Sequence, residues 1–303
     1  MSIQQNPLVS VRNLVKQYGG KKGFFGGGNS FSINAIDDIS FDIAPGETLG
    51  LVGESGSGKS TTGRVLLQLE SPTAGDVFYK GHNIAGLKAA AMKPLRREMQ
   101  IVFQDPYSAL NPRMTVGDFV AEPLLIHEPS SAAERQEKTA DLFRLVGLDP
   151  SFMSRYPHEF SGGQRQRVNI ARAVALRPSF IVADEPITAL DVSIQAQIIN
   201  LFQDLQEELG LAYLFVAHDL SMVRYLCHRV AVMLRGKIVE MAPVATLFED
   251  PRHPYTQALL TAIPVPDPRI ERARRHIAFD LNLHGPKAGQ KLQEVTPEHF
   301  VLM

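Results

Sequence analysis

The chain has 303 residues, 44% of them apolar, with 31 basic and 32 acidic side chains and a net charge of −1. That length admits one large domain or two small ones around a sizeable core, and the even charge balance argues against a nucleic-acid surface, which would show as a basic excess. A single cysteine, Cys227, excludes an internal disulfide or a Cys-ligated cluster made by this chain alone, and it reads as a core residue.

The N-terminus lacks the basic and apolar regions of a signal peptide. The longest apolar runs, such as Leu211 to Ala217, fall far short of the ~20 residues of a membrane helix. Any membrane connection is therefore expected to come through a partner.

In chain order, Leu8 to Leu14 alternates as a strand. Tyr18 beyond it reads either as an aromatic packed at a strand end or as a ring stacked on a nucleotide base. Gly19 to Asn29, with six glycines among basic and aromatic residues, reads as a mobile loop. Ile39 to Ile43 alternates again, and Pro45-Gly46 is a turn. Thr48 to Val52 is a continuous apolar run fit for a buried parallel strand.

Gly53-Glu54-Ser55-Gly56-Ser57-Gly58-Lys59-Ser60-Thr61 then satisfies G-x-x-x-x-G-K-[ST], and Ser60 to Leu69 can run as a helix. Strand, loop and helix are the context a phosphate-cradling loop needs; the plain alternative is a Gly-rich turn. Gly53, Gly56 and Gly58 allow positive φ, so that successive N–H groups, Ser55 among them, can face one anion. The helix start adds unpaired N–H groups and the positive end of its dipole. Lys59 is expected to reach the β and γ phosphates of a nucleoside triphosphate, and the Ser60 hydroxyl to hold Mg²⁺. Asp76 to Tyr79 makes another strand, and these flanking pieces suggest a small antiparallel layer beside the loop.

Gln100 to Phe103 is a strand ending at Gln104, which seen alone is a loop amide. Val116 to Leu125 and Ser131 to Val146 read as helices, the second with Leu142, Leu145 and Val146 on one face. No strand pattern interrupts them, so the region reads as a helical insertion. Ser161, Gly162 and Gly163 precede a long helical run through Leu176, a second anion-ready helix start. One nucleotide rarely needs two such starts in one chain, and the economical account is that the second faces the nucleotide of another subunit.

Phe180 to Ala183 is a buried strand ending in Asp184 and Glu185. A carboxylate at the C-terminal edge of a parallel strand suits the second coordination sphere of Mg²⁺, which assigns Asp184 to the metal, and Glu185 is placed to orient or deprotonate an attacking water. The alternative is a solvated carboxylate pair. Ser193 to Leu209 is an amphipathic helix, and Leu211 to Ala217 a buried strand with His218 at its functional edge, where a γ-phosphate contact is expected. Val230 to Leu234 and Lys237 to Met241 form a hairpin around Arg235-Gly236. Pro264, Pro266 and Pro268 mark a linker, and Ile270 to Val301 shows no clear period. The whole reads as a largely parallel α/β core.

Together these motifs resemble the nucleotide-binding subunit of an ATP-binding cassette (ABC) transporter, over about Leu8 to Ile263. The resemblance implies a P-loop NTPase (RecA-like) α/β core with an antiparallel β subdomain, a helical subdomain inserted at about 105–165 within residues 1–250, and a C-terminal extension over 251–303. It matches Tyr18 to the adenine-stacking aromatic and Gly53 to Thr61 to the Walker A loop. Gln104 matches the glutamine that touches Mg²⁺ and water and senses the membrane partner. Ser161 to Gln164 match the signature, Asp184 and Glu185 the Walker B pair, Ala189-Leu190-Asp191 the D-loop and His218 the switch histidine. Phe160 stands where Leu is usual before the signature, and Thr188 where Ser is usual before the D-loop.

The segments Asp105 to Pro112 and His253 to Leu260 resemble the dipeptide/oligopeptide importer class, which also moves nickel chelates, glutathione, opines and some oligosaccharides. The implied cofactors are ATP and Mg²⁺. The implied partners are a second ATPase subunit (self or paralogue), two transmembrane permeases and, indirectly, an extracytoplasmic substrate-binding protein, with no nucleic acid. The implied place is the cytoplasmic face of the inner membrane. A soluble ABC ATPase acting on nucleic acid or ribosomes would carry two cassettes or a long coiled-coil insertion, and this chain has neither. A regulatory module without turnover is disfavoured by intact Glu185 and His218.

Overall fold

The continuous apolar runs at Thr48–Val52, Phe180–Asp184 and Ala212–Ala217 become buried strands, and the longer periodic stretches become helices. A computed structural model describes residues 6–19, 32–188, 190–263, 269, 277–287 and 289–303. All of the expected glycine-rich loop except Gly19, the linker prolines and Ala189 lie outside the described residues. The chain divides into two units, one from the N-terminus to Leu87 and again from Phe215, the other Lys88–Leu214.

The first unit begins with β1 (Val9–Gly19), β2 (Ser32–Ile43), β3 (Thr48–Val52), α1 (Lys59–Leu66), β4 (Ala74–Tyr79) and β5 (His82–Asn83). Strands β2-β1-β4-β5 form an antiparallel sheet, the expected antiparallel layer. β1 runs past the expected Leu14 to Gly19. Asn13, at φ 47, sits within a register shift against β2, and such a bulge breaks the alternation that marks a strand in sequence. α1 stops earlier than Leu69, and Gln68 beyond it is left-handed at φ 52.

The second unit holds α2 (Ala89–Leu95), β6 (Met99–Val102), α3 (Pro106–Ala109), α4 (Val116–His127), α5 (Ala132–Leu145), α6 (Gly162–Val174), β7 (Phe180–Asp184) and α7 (Val192–Leu209). Each expected helix of the insertion forms. Thr115 caps α4, and a Ser131/Glu134 capping box starts α5. The buried face of α5 is Thr139 and Phe143, continued by Val146, while Leu142 and Leu145 stay half-buried. β6 and β7 pair in parallel, and every residue of β7 is buried.

β8 (Ala212–Ala217), also buried throughout, carries the chain back into the first unit. There follow α8 (Leu220–Leu226), β9 (Arg229–Leu234), β10 (Lys237–Pro243), α9 (Val244–Glu249), α10 (Pro254–Ala262), α11 (Leu281–His284), β11 (Leu292–Thr296) and β12 (His299–Leu302). In the first unit β3 pairs in parallel with β9, and β9, β10, β12 and β11 continue antiparallel in that order. The two last strands correct the reading of the tail as patternless: it ends in a hairpin added to the main sheet. Cys227 is buried, and burial raises its thiol pKa. No helix among the described residues is long and apolar enough to cross a membrane.

Candidate nucleotide-binding and hydrolysis site

The phosphate loop lies between β3 and α1, and its glycines take left-handed backbone angles. Gly53, Gly56 and Gly58 have φ of 153, 80 and 108. A Cβ on Gly53 would stand 2.1 Å from the Met233 carbonyl oxygen, and one on Gly58 2.0 Å from that of Ala35. Both positions therefore need glycine for backbone angle and for space. Gly58 is also the N-cap of α1, with no side-chain cap and no acidic residue in the first turn, the kind of helix start that favours an anion.

Lys59 is 3% exposed and donates from Nζ to the carbonyls of Gly53 at 2.7 Å and Glu54 at 2.9 Å. The ammonium thus spans the loop it is expected to serve. The Ser57 hydroxyl is buried with no hydrogen-bond partner among the described residues, an orphan suited to an anionic ligand. Thr62 ties its hydroxyl to the Gly58 carbonyl at 3.0 Å.

Tyr18 is 43% exposed at the end of β1, with Lys16 Nζ 5.0 Å from its ring centroid. Its hydroxyl donates to Glu70 and also bonds with the Thr61 side chain. Burial and the Glu70 carboxylate raise its pKa, so the phenol stays neutral beside the loop. His218, directly after β8, is exposed.

In the second unit the structure brings together Gln104, Glu185 and Thr188. Gln104 Nε2 donates to Glu185 Oε2 at 2.9 Å, and the Thr188 hydroxyl donates to the same oxygen at 3.2 Å. The Thr188 departure therefore keeps the hydroxyl that matters, because Ser and Thr offer the same donor. Glu185 itself is left-handed at φ 46, a conformation a non-glycine residue holds only when its surroundings impose it. Asp184 is 4% exposed at the end of β7.

Ser161 caps α6: its Oγ accepts from the Gln164 N–H at 3.3 Å, and Gln164 Oε1 accepts from the Ser161 N–H at 3.0 Å. The capping box takes up the Gln164 N–H of the expected anion-ready start but not those of Gly162 and Gly163. Gly163 is needed for close approach, since a Cβ there would sit 2.6 Å from Ile194 Cγ2. Phe160 is buried and packs edge-on to Phe152, so an apolar residue of another shape than Leu is accommodated. Asp191 is the exposed N-cap of α7 and makes no side-chain cap.

Two residues escaped the sequence reading. Tyr255 accepts the Glu54 N–H at its hydroxyl, at 3.0 Å. Arg165 lays its guanidinium 4.0 Å from the Tyr107 ring centroid, which ties α6 to the segment after Gln104. No local pattern announces either contact, because each pairs residues far apart in the chain.

The ABC transporter family model matches residues 36–188, and that of the oligopeptide/dipeptide transporter C-terminal region matches residues 239–287. The oligopeptide transport ATP-binding protein OppF of Bacillus subtilis (strain 168) is 54% identical over 299 residues, 97% of this chain and 95% of that protein. The glutathione import ATP-binding protein GsiA of Salmonella paratyphi A is 49% identical over 307 residues, covering 99% of this chain and 49% of that protein, so the chain spans about half its length. Among solved structures, the dimeric post-hydrolysis state of the ATP-binding cassette MJ0796 bound to ADP and Pi has a TM-score of 0.69 and 31% identity, covering 78% of this chain and 98% of that one. The chain belongs to the ABC transporter family, in its oligopeptide/dipeptide class of ATP-binding subunits.

Proposed function

We propose that this chain hydrolyses ATP to drive uptake of di- and oligopeptides through an importer in the cell membrane. The observation that carries the reading is a glycine-built anion loop together with a strained carboxylate, Glu185, whose oxygen is fixed by Gln104 and Thr188. The N–H groups of Gly53 to Thr61, with Ser55 and Ser57, cradle the β and γ phosphates, Lys59 neutralises them, and Tyr18 stacks on the base. Ser60, Asp184 and Gln104 would hold Mg²⁺. The metal, when bound, neutralises charge on the phosphate oxygens. A hydroxyl, a buried carboxylate and an amide oxygen are the hard donors it accepts.

Glu185 takes a proton from the attacking water as its oxygen bonds to the γ-phosphorus, the bond to ADP breaks, and inorganic phosphate forms. His218 contacts the γ-phosphate. Ser161, Gly162, Gly163 and Gln164 serve the nucleotide of the facing ATPase subunit, self or paralogue, with Asp191 across the same junction. ATP binding closes the head-to-tail pair, and hydrolysis reopens it. The dimeric ADP- and Pi-bound MJ0796 cassette supports this arrangement.

Motion passes through the Gln104 region to two permease subunits. That partnership holds the chain peripherally on the cytoplasmic face, with an extracytoplasmic binding protein supplying cargo. The proposed division is a nucleotide-binding domain over 1–250, with the helical part near 105–165, and an extension over 251–303. OppF supports peptides as cargo, and the GsiA relationship favours glutathione as a second reading.

The test is a Glu185→Gln chain assembled with its permeases. It should retain ATP and hold the closed pair while phosphate release falls away. Phosphate release at the wild-type rate would remove Glu185 from this role.

A further inference from the structure

One peptide group of the phosphate loop is held at both of its polar atoms. Its carbonyl, that of Gly53, accepts from Lys59 Nζ at 2.7 Å; its N–H, that of Glu54, donates to the Tyr255 hydroxyl at 3.0 Å. Gly53 stands at φ 153, where no side-chain-bearing residue settles comfortably, so its own backbone preference does not orient that peptide.

Tyr255 comes from outside the loop, in the first turn of α10, and its anchoring is independent of the nucleotide. Its side chain is fully buried, with the ring edge-on to Phe279 at 5.1 Å. Its N–H donates to His253 Nδ1 at 3.2 Å, the cap of α10. The His253 and Arg252 N–H groups in turn donate to Glu240, a carboxylate buried in β10, at 3.0 and 2.7 Å. His299 of β12 lies 2.7 Å from the same carboxylate and is equally buried.

We propose that Tyr255 is a positioning residue for nucleotide binding: its hydroxyl fixes the Gly53–Glu54 peptide, and through it the carbonyl that sets Lys59. The final hairpin, Glu240 and the α10 cap form the mount from which it acts. A tyrosine needed merely to fill space would be matched by phenylalanine, but this hydroxyl meets a main-chain N–H of the loop that grips phosphate. Burial pushes the phenol pKa up to about 12, so it remains a neutral hydroxyl, able to accept, across the working range. The inference rests on the assignment of the Lys59 loop to ATP.

The test compares the full-length wild type, Tyr255→Phe and Lys59→Ala by calorimetric titration with ADP, and by thermal unfolding without nucleotide. The Phe variant keeps the ring packing and removes one neutral hydrogen bond. Its affinity for ADP should fall about three- to tenfold while its unfolding midpoint stays near that of the wild type. In the assembled transporter its KM for ATP should rise with kcat nearly unchanged.

Wild-type ADP affinity in Tyr255→Phe, with Lys59→Ala weakened, overturns the positioning role alone. Unchanged affinity in Lys59→Ala overturns the loop assignment beneath it. If Tyr255→Phe unfolds early, Phe279→Leu separates the causes. It loosens the same packing and leaves the hydroxyl, so a matching affinity loss there would contradict the proposal and intact affinity would support it.

Discussion

The helices that begin at Lys59 and at Gly162 both follow small residues and both point N–H groups outward, yet they are prepared for anions in opposite ways. The first has a left-handed glycine for its cap, no side-chain acceptor and a buried ammonium beside it. The second carries a complete capping box, Ser161 with Gln164, in which the Ser161 hydroxyl already takes up the Gln164 N–H of the first turn. A start left without a side-chain cap binds an anion by itself. A self-capped start gains less from an anion, because the box must be exchanged for it. That difference suits a division in which one site holds ATP in the open subunit and the other engages on closure.

This contrast can be broken or sharpened by substitution. The largest effect is expected from Glu185→Gln, which should lower kcat by about 10²–10⁴, the usual worth of a general base, with little change in nucleotide affinity. Parallel loss of affinity, measured by titration, would blur the line between holding and turnover. Next, Gly58→Ala places a Cβ against the Ala35 carbonyl at a φ of 108. Strain of about 1–3 kcal/mol should appear as weaker ADP binding and a lower unfolding midpoint together.

Ser161→Ala should cost about 0.5–2 kcal/mol of stability through the lost cap, read by denaturant unfolding. It should also lower turnover in the assembled transporter.

The smallest effect concerns His253. Burial lowers its pKa against the opposing pull of Glu240, with His284 adding to the lowering. The folded state therefore resists its protonation. Stability is fully present above the unfolded value near 6.5 and is lost as pH falls below it. His253→Asn keeps an N-cap acceptor and should flatten that loss between pH 7 and pH 5, relative to wild type, in thermal unfolding.

What could be read in advance was local chemistry. The phosphate loop announces itself because Gly53, Gly56 and Gly58 all answer to backbone angle, and Gly53 and Gly58 also to carbonyls that leave no room for a Cβ. β7 and β8 were legible as unbroken apolar runs. The C-terminal hairpin was not: β11 is an exposed edge strand, and β12 buries a histidine against Glu240, so neither shows the expected alternation. In α5 the inward face holds the expected Val146 together with Thr139 and Phe143, which bury more deeply than the two leucines; Leu142 is half-buried against Leu124, Ala175 and Leu176. Tyr255 on Glu54 and Gln104 on Glu185 join residues that only folding brings together.

The most direct test is ADP titration of the isolated full chain, comparing wild type, Lys59→Ala and Ser161→Ala. The account predicts about a ten- to hundredfold loss for Lys59→Ala, the worth of a charge-assisted contact, and wild-type affinity for Ser161→Ala. Equal losses in both variants would mean that the two helix starts serve one nucleotide within one chain, and would contradict the division between them.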